Sequence, residues 1–231
     1  MKEAGLMNYL DCEELVKCYD VYYFSKKIFI FLEFMDQGSM EKIVLRGQQG
    51  YSENFCRYTL YKVALGLARM HKNNVLHRDI KSDNVLYSAD GQIKICDLGL
   101  STFLTQQKAL RTSKLGTVLW ASPEVLQGIQ YSKEVDVWSF GCFAYELATG
   151  QTPFSSMQSQ DKQIHSIINV DAPEIPNEKW SAEFRDFVKK CLARDPAERW
   201  TINQLLYKHD FLASMNVTAW KEAWLNDLRD F

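Results

Sequence analysis

Two acids and an amide stand on short loops beside a hairpin. His-Arg-Asp-Ile-Lys-Ser-Asp-Asn fills positions 77–84 and Ile-Cys-Asp-Leu-Gly-Leu fills 95–100. Asp79, Asn84 and Asp97 are the residues of interest, because loops held by a rigid scaffold are where metal and substrate are positioned. A lone His-Arg-Asp would be a chance tripeptide, and Asp79 or Asn84 alone could be a loop-capping or turn residue. The significance of the group depends on what surrounds it.

The elements that must position these loops can be read from pattern. NVLY (84–87) and QIKIC (92–96) flank Asp90–Gly91 and predict a hairpin. Upstream, KIFIFLEFM (27–35) predicts a buried strand, and DQGS (36–39) breaks the pattern like a hinge or turn. Ser52 is placed to cap a deeply buried helix over 53–72. Downstream the chain reads as helical. Ser132 is the expected cap of a central core helix that ends at Gly150 and has no polar face. Ser181 opens a second helix, with Phe184, Phe187, Val188, Cys191 and Leu192 on one stripe. Thr201 and Gln204 form a capping box for a third. In the tail from Ala213, Trp220 and Trp224 are four apart, the spacing of a short docked helix.

Composition narrows the function classes. The 231 residues are 46% apolar and 24% charged, with a formal charge of −2 and no basic run. That balance suits a globular core and gives no sign of a nucleic-acid or anionic-membrane partner. No apolar stretch approaches the ~18 residues that span a bilayer. The acids near the N-terminus argue against a signal peptide. Six scattered cysteines without a Cys-x-x-Cys pair read as reduced core thiols of an intracellular, cytoplasmic protein.

Further motifs follow the first two in a fixed order. GTVLWASPE spans 116–124, DVWSFGC spans 136–142, and Arg199 lies in DPAERW. Together they resemble the catalytic domain of eukaryotic protein serine/threonine kinases over roughly residues 3–212, most closely its sterile-20 and p21-activated branch. The resemblance implies an α+β kinase-like fold: a remnant of the small lobe over 1–35, a mainly helical large lobe over 36–212 and a tail over 213–231. It implies ATP and Mg2+ as cofactors, serine- or threonine-containing proteins as substrates, and a signalling role under an upstream kinase or autophosphorylation. Asp79 would orient the substrate hydroxyl and accept its proton, while Asn84 and Asp97 would hold magnesium. Lys81 would touch the γ-phosphate, and Gly116–Thr117 matches the serine/threonine class. Arg78 would receive a phosphate carried by Ser113 or Thr112. Glu124 would pair with Arg199, and Asp136 opens the central helix of the large lobe.

On the nucleotide side, the resemblance makes Leu32 the gatekeeper. The backbone of Glu33 and Met35 would meet the adenine edge, with Met40 and Leu86 beneath the ring. Glu3 falls where the family has its regulatory glutamate, and Met7 lies one turn later. Leu98 replaces the usual phenylalanine and Ser122 the usual alanine, both mild departures. The larger departure is that no Gly-x-Gly occurs and only Met1 and Lys2 precede Glu3. The expectation is therefore a small lobe without its first three strands, Gly-rich loop or strand lysine. By this reading the chain alone binds Mg-ATP weakly, as a truncated form of a true kinase. The alternative is an impaired kinase or pseudokinase that serves as a peptide-binding module.

Overall fold

The computed structural model describes residues 2–46, 51–104, 111, 116–176, 179–213 and 216–229. Helix α1 (Lys2–Leu10) buries Leu6, Met7 and Leu10. The segment after it runs alongside a later strand: the Ile95 N–H donates to the Glu14 carbonyl at 2.8 Å and the Val16 N–H to the Ile95 carbonyl at 2.9 Å. Strands β1 (Cys18–Phe24) and β2 (Lys27–Leu32) form a two-stranded antiparallel ribbon. Its turn places both Ser25 (φ 51°) and Lys26 (φ 62°) in the left-handed region.

The run 27–35 is a strand only over its first six residues, and it is not buried. Ile28, Phe29 and Phe31 are about half exposed, and Phe34 is 85% exposed. Strand burial needs a neighbour on each face, and among the described residues the ribbon's sheet has only two strands, with α1 packed against β1. Met35, just beyond it, does reach the core.

The chain then turns at Gly38 (φ 83°), where 36–39 was expected to break. Gly38–Ser39 is β3, and Glu41–Arg46 is α2. Helix α3 (Glu53–Lys72) starts where the Ser52 hydroxyl accepts the Phe55 N–H at 3.1 Å, and it is buried on several sides, as its pattern predicts. Strand β4 (Val75–Leu76) leads into the 77–84 loop. Beyond that loop lies the expected hairpin, β5 (Val85–Tyr87) and β6 (Ile93–Ile95), turning at Gly91. Strand β7 (Thr102–Phe103) pairs with β4 and so brackets residues 77–101.

The rest is helical: α4 (Pro123–Gln127), α5 (Glu134–Thr149), α6 (Gln160–Asn169), α7 (Ala182–Cys191), α8 (Ile202–Tyr207), α9 (Asp210–Ala213) and α10 (Val217–Arg229). Ser181 caps α7 and the Thr201–Gln204 box caps α8, as expected. Ser132 does not cap α5. That helix begins two residues later, with Lys133 as N-cap in a helical conformation and no side-chain cap. Instead the Asp136 N–H reaches the Lys133 carbonyl at 3.2 Å, a tightened first turn that satisfies the end without a hydroxyl.

Helix α5 runs through the middle, packed against α3 and α7. Helix α10 lies along α3, with Trp224 stacked 5.4 Å from Phe55 and donating its indole N–H to Thr59 at 3.0 Å. No helix among the described residues is long and apolar enough to cross a membrane.

Candidate active site

The 77–84 loop is anchored from below by Asp136, which is fully buried on the first turn of α5. Its carboxylate accepts the His77 N–H at 2.9 Å, the Arg78 N–H at 2.7 Å and the His71 Nε2–H at 2.8 Å. Burial alone would push this carboxyl up. The His71 hydrogen bond, the nearby histidines and the Arg78 amide outweigh it and hold the group below the usual carboxylate range. The charged anchor holds Arg78 at φ 72°, a backbone conformation non-glycine residues rarely adopt.

His77 fixes the next residue. The Asp79 N–H donates to its Nδ1 at 3.2 Å, and its Nε2 meets the Cys96 carbonyl at 3.1 Å. A donor on one side and an acceptor on the other require a neutral ring protonated at Nε2. Burial, which lowers its pKa, favours that same form.

Asp79 is then surrounded. Oδ1 accepts the Thr117 N–H at 3.1 Å and the Thr117 hydroxyl at 2.9 Å. Oδ2 accepts Asn84 Nδ2 at 3.0 Å and lies 3.3 Å from Lys81 Nζ. Lys81 also donates to Thr117 Oγ1 at 2.9 Å. The close approach needs Gly116 (φ 102°), where an added Cβ would fall 2.7 Å from the Arg78 carbonyl. The structure thus gathers Asp79, Lys81, Asn84 and Thr117 into one cluster.

Asp97 is brought beside this cluster by its neighbour Cys96, whose N–H donates to the Asn84 carbonyl at 2.9 Å. Its own side chain is exposed and accepts the Gly99 N–H at 3.0 Å from a left-handed conformation. Leu98, next to it, is buried where the 98–100 turn packs on α1. Arg78 extends its guanidinium to the Leu100 carbonyl, at 2.7 Å from Nε, and to the Tyr131 hydroxyl at 3.4 Å. Thr112 and Ser113 lie outside the described residues, as does the side chain of Glu3, which falls on α1.

The other candidate positions surround the connection from β2 to α2. Leu32 is exposed at the end of its strand, Met35 and Met40 are buried, and Leu86 is partly buried. The Glu33 N–H donates to the Lys17 carbonyl at 2.9 Å, and the Met35 carbonyl accepts the Gly38 N–H at 3.2 Å. The Glu33 carbonyl and the Met35 N–H therefore keep no backbone partner among the described residues. The Glu33 carboxylate is held 2.7 Å from Lys94, a buried lysine on β6.

A family model for the protein kinase domain matches residues 1–212. The chain belongs to the protein kinase family. It is also 34% identical over 214 residues to a serine/threonine-protein kinase, pakA, of Dictyostelium discoideum. That match covers 92% of this chain and 18% of the relative, so the kinase domain here spans under a fifth of that protein.

In this kinase domain Glu124 and Arg199 form a buried ion pair at 2.8 Å. Arg199 also donates to the carbonyls of Ala193 (3.0 Å) and Glu134 (2.8 Å), so α4, α5 and the segment before α8 meet at one guanidinium. Sequence reasoning missed three participants: His71 beneath Asp136, Lys94 behind Glu33, and Glu146 on α5. Glu146 carried a signal, since an acid inside a helix with no polar face has to find buried donors. The other two are paired only by the fold.

Proposed function

We propose that this chain is the catalytic part of a serine/threonine protein kinase that transfers the γ-phosphate of ATP to protein hydroxyls in signalling. The single observation that carries the reading is the Asp79 carboxylate, held by four hydrogen-bonding or charged contacts from Thr117, Asn84 and Lys81. These contacts fill the roughly four acceptor sites of a carboxylate. A substrate hydroxyl must therefore displace one of them. The Thr117 hydroxyl is the replaceable one, because it can rotate while still accepting from Lys81. In its place the substrate hydroxyl points its proton at Asp79 Oδ1, which orients the oxygen and takes the proton.

The donors present fit Mg2+ and ATP. Asn84 uses its amide nitrogen inward, on the Asp79 carbonyl and carboxylate, which leaves its amide oxygen for a hard cation. The exposed carboxylate of Asp97 is a second such oxygen. The Glu33 carbonyl and Met35 N–H offer an acceptor and a donor suited to a purine edge, with Leu32, Met40 and Leu86 as apolar neighbours. When bound, Mg-ATP supplies the phosphoryl group and the charge neutralisation its transfer requires. Lys81, beside Asp79 and Thr117, would meet the transferring phosphoryl.

Regulation by a phosphate on Ser113 or Thr112 belongs to the same proposal, with Arg78 leaving the Leu100 carbonyl to bind it. Glu3 is the regulatory acid on α1. Residues 1–35, 36–212 and 213–231 serve as small-lobe segment, large lobe and tail, and the free thiols suit a reducing intracellular compartment.

A second reading is a binding module that docks peptides without transfer. The 231 residues contain no Gly-x-Gly, and Lys2 lies on α1 rather than on a strand. Two proteins separate the readings: the 231-residue chain, and the same chain extended at its N-terminus with the Gly-rich and lysine-bearing strands of a relative. Calorimetry with Mg-ATP and radiolabel transfer from ATP are the measurements. The kinase reading expects weak binding and negligible transfer from the first, and binding with phosphoserine or phosphothreonine product from the second. An extended protein that folds but stays inert would support the binding module.

A further inference from the structure

Glu146 lies near the end of α5, ten residues after Asp136, and is 6% exposed. Its Oε1 accepts the Ser82 hydroxyl at 2.6 Å and its Oε2 accepts the Trp120 indole N–H at 3.2 Å. Ser82 sits between Lys81 and Asn84. Trp120 sits three residues past Thr117, in a turn whose carbonyl is also held by the Ser139 hydroxyl at 2.8 Å. One carboxyl on the core helix therefore joins the loop that carries Asp79 to the segment that carries its partner Thr117. We propose that Glu146 is a positioning residue that sets the catalytic loop against the 116–120 segment, and that gain or loss of its proton changes how the two are held.

The hydrogen-bond chemistry explains why a proton matters. Trp120 can only donate, so Oε2 must accept in either state. The Ser82 hydroxyl can do both. With Glu146 ionised, Ser82 donates to it. With Glu146 protonated, Oε1–H must donate and the Ser82 hydroxyl turns to another acceptor. The proton reverses one bond inside the catalytic loop without breaking the tie to Trp120.

The surroundings place this event near neutral pH. The groups facing Glu146 are Asp83 on the loop, whose charge disfavours ionisation, and Cys142 one turn earlier on α5, a buried thiol that stays protonated. From the 118–120 turn only Trp120 reaches it, and no cation pairs with it among the described residues. Burial pushes the carboxyl up to about 7, against the pull of the Ser82 and Trp120 hydrogen bonds.

The catalytic consequence rests on the kinase reading, but the test needs no phosphotransfer and so fails separately from it. In 1H–15N spectra of the 231-residue chain, the Trp120 indole N–H is assigned by its loss in Trp120→Phe and followed from pH 5.5 to 8.5. The expected result is movement with a midpoint near pH 7, matched by the Thr117 amide that donates to Asp79. Both should stand still in Glu146→Gln. Should that variant fail to fold, Ser82→Ala provides the check: it removes one donor to the carboxylate, and the midpoint should rise. A Trp120 signal that ignores pH, or moves equally in Glu146→Gln, overturns the proposal. So does a titrating Trp120 beside a stationary Thr117, or an unmoved midpoint in Ser82→Ala.

Discussion

Strands β2 (Lys-Ile-Phe-Ile-Phe-Leu) and β6 (Ile-Lys-Ile) each carry one lysine among apolar residues but have opposite surroundings. All three residues of β6 are buried, lysine included, while five of the six residues of β2 are exposed. Strand β6 has β5 on one edge, the Glu14–Val16 backbone on the other, and α3 packed close enough that a Cβ at Gly66 would fall 2.9 Å from Ile95. Strand β2 has β1 and little else among the described residues. Apolar character supplies the drive to be covered, and neighbours decide whether it is met. The buried Lys94 ties the two regions, since its partner Glu33 stands at the end of the ribbon.

That contrast orders the effects of mutation. The largest falls where a charge is enclosed: Arg199→Ala strands Glu124 and should cost about 3–5 kcal/mol. A melting temperature unchanged within error would show the pair carries no load. Phe187, fully buried between Phe140 and Phe211, should lose about 3–5 kcal/mol on truncation to alanine. The same change at Phe31, 54% exposed, should cost less than about 1 kcal/mol and improve solubility. Denaturant melts of the two variants side by side check this, and equal losses would mean the ribbon is covered in solution.

The smallest effects are in pH, and here two acids of one helix differ in sign. The pKa of Asp136 is lowered by folding, so its contribution is present above the unfolded carboxylate value and disappears as pH falls through the folded one. Glu146 is raised from 4.5 to about 7, so its contribution is complete below 4.5 and is lost as pH climbs through 7. Glu146→Gln should therefore gain stability relative to wild type between pH 5 and 8, while Asp136→Asn should lose least in acid. Thermal melts across pH 2–8 read both slopes, and parallel curves for the two variants would contradict the assignment.

The same division explains what was legible beforehand. Asp79, Asn84 and Asp97 stood in contiguous motifs, and the helices of α3, α7 and α8 announced their caps in Ser52, Ser181 and Thr201. The β1–β2 turn at Ser25–Lys26 adopts positive φ without the glycine or asparagine that usually marks it. Ser132 looked like a cap, but the first turn of α5 tightens onto Lys133 instead. Exposure of 27–34 was illegible because burial is non-local. The contacts of Glu146 were likewise beyond reach, since Ser82 and Trp120 lie 64 and 26 residues away.

The central claim is that Asp79 is the group that orients and deprotonates the hydroxyl. Asparagine keeps the size of the side chain while removing the base. The direct measurement is γ-phosphate transfer by the N-terminally extended chain, with and without Asp79→Asn, alongside its melting temperature. A fall on the order of 10²–10⁴ with an unchanged melt is the predicted outcome. Transfer within tenfold of the parent, in a protein that melts at the same temperature, would contradict it.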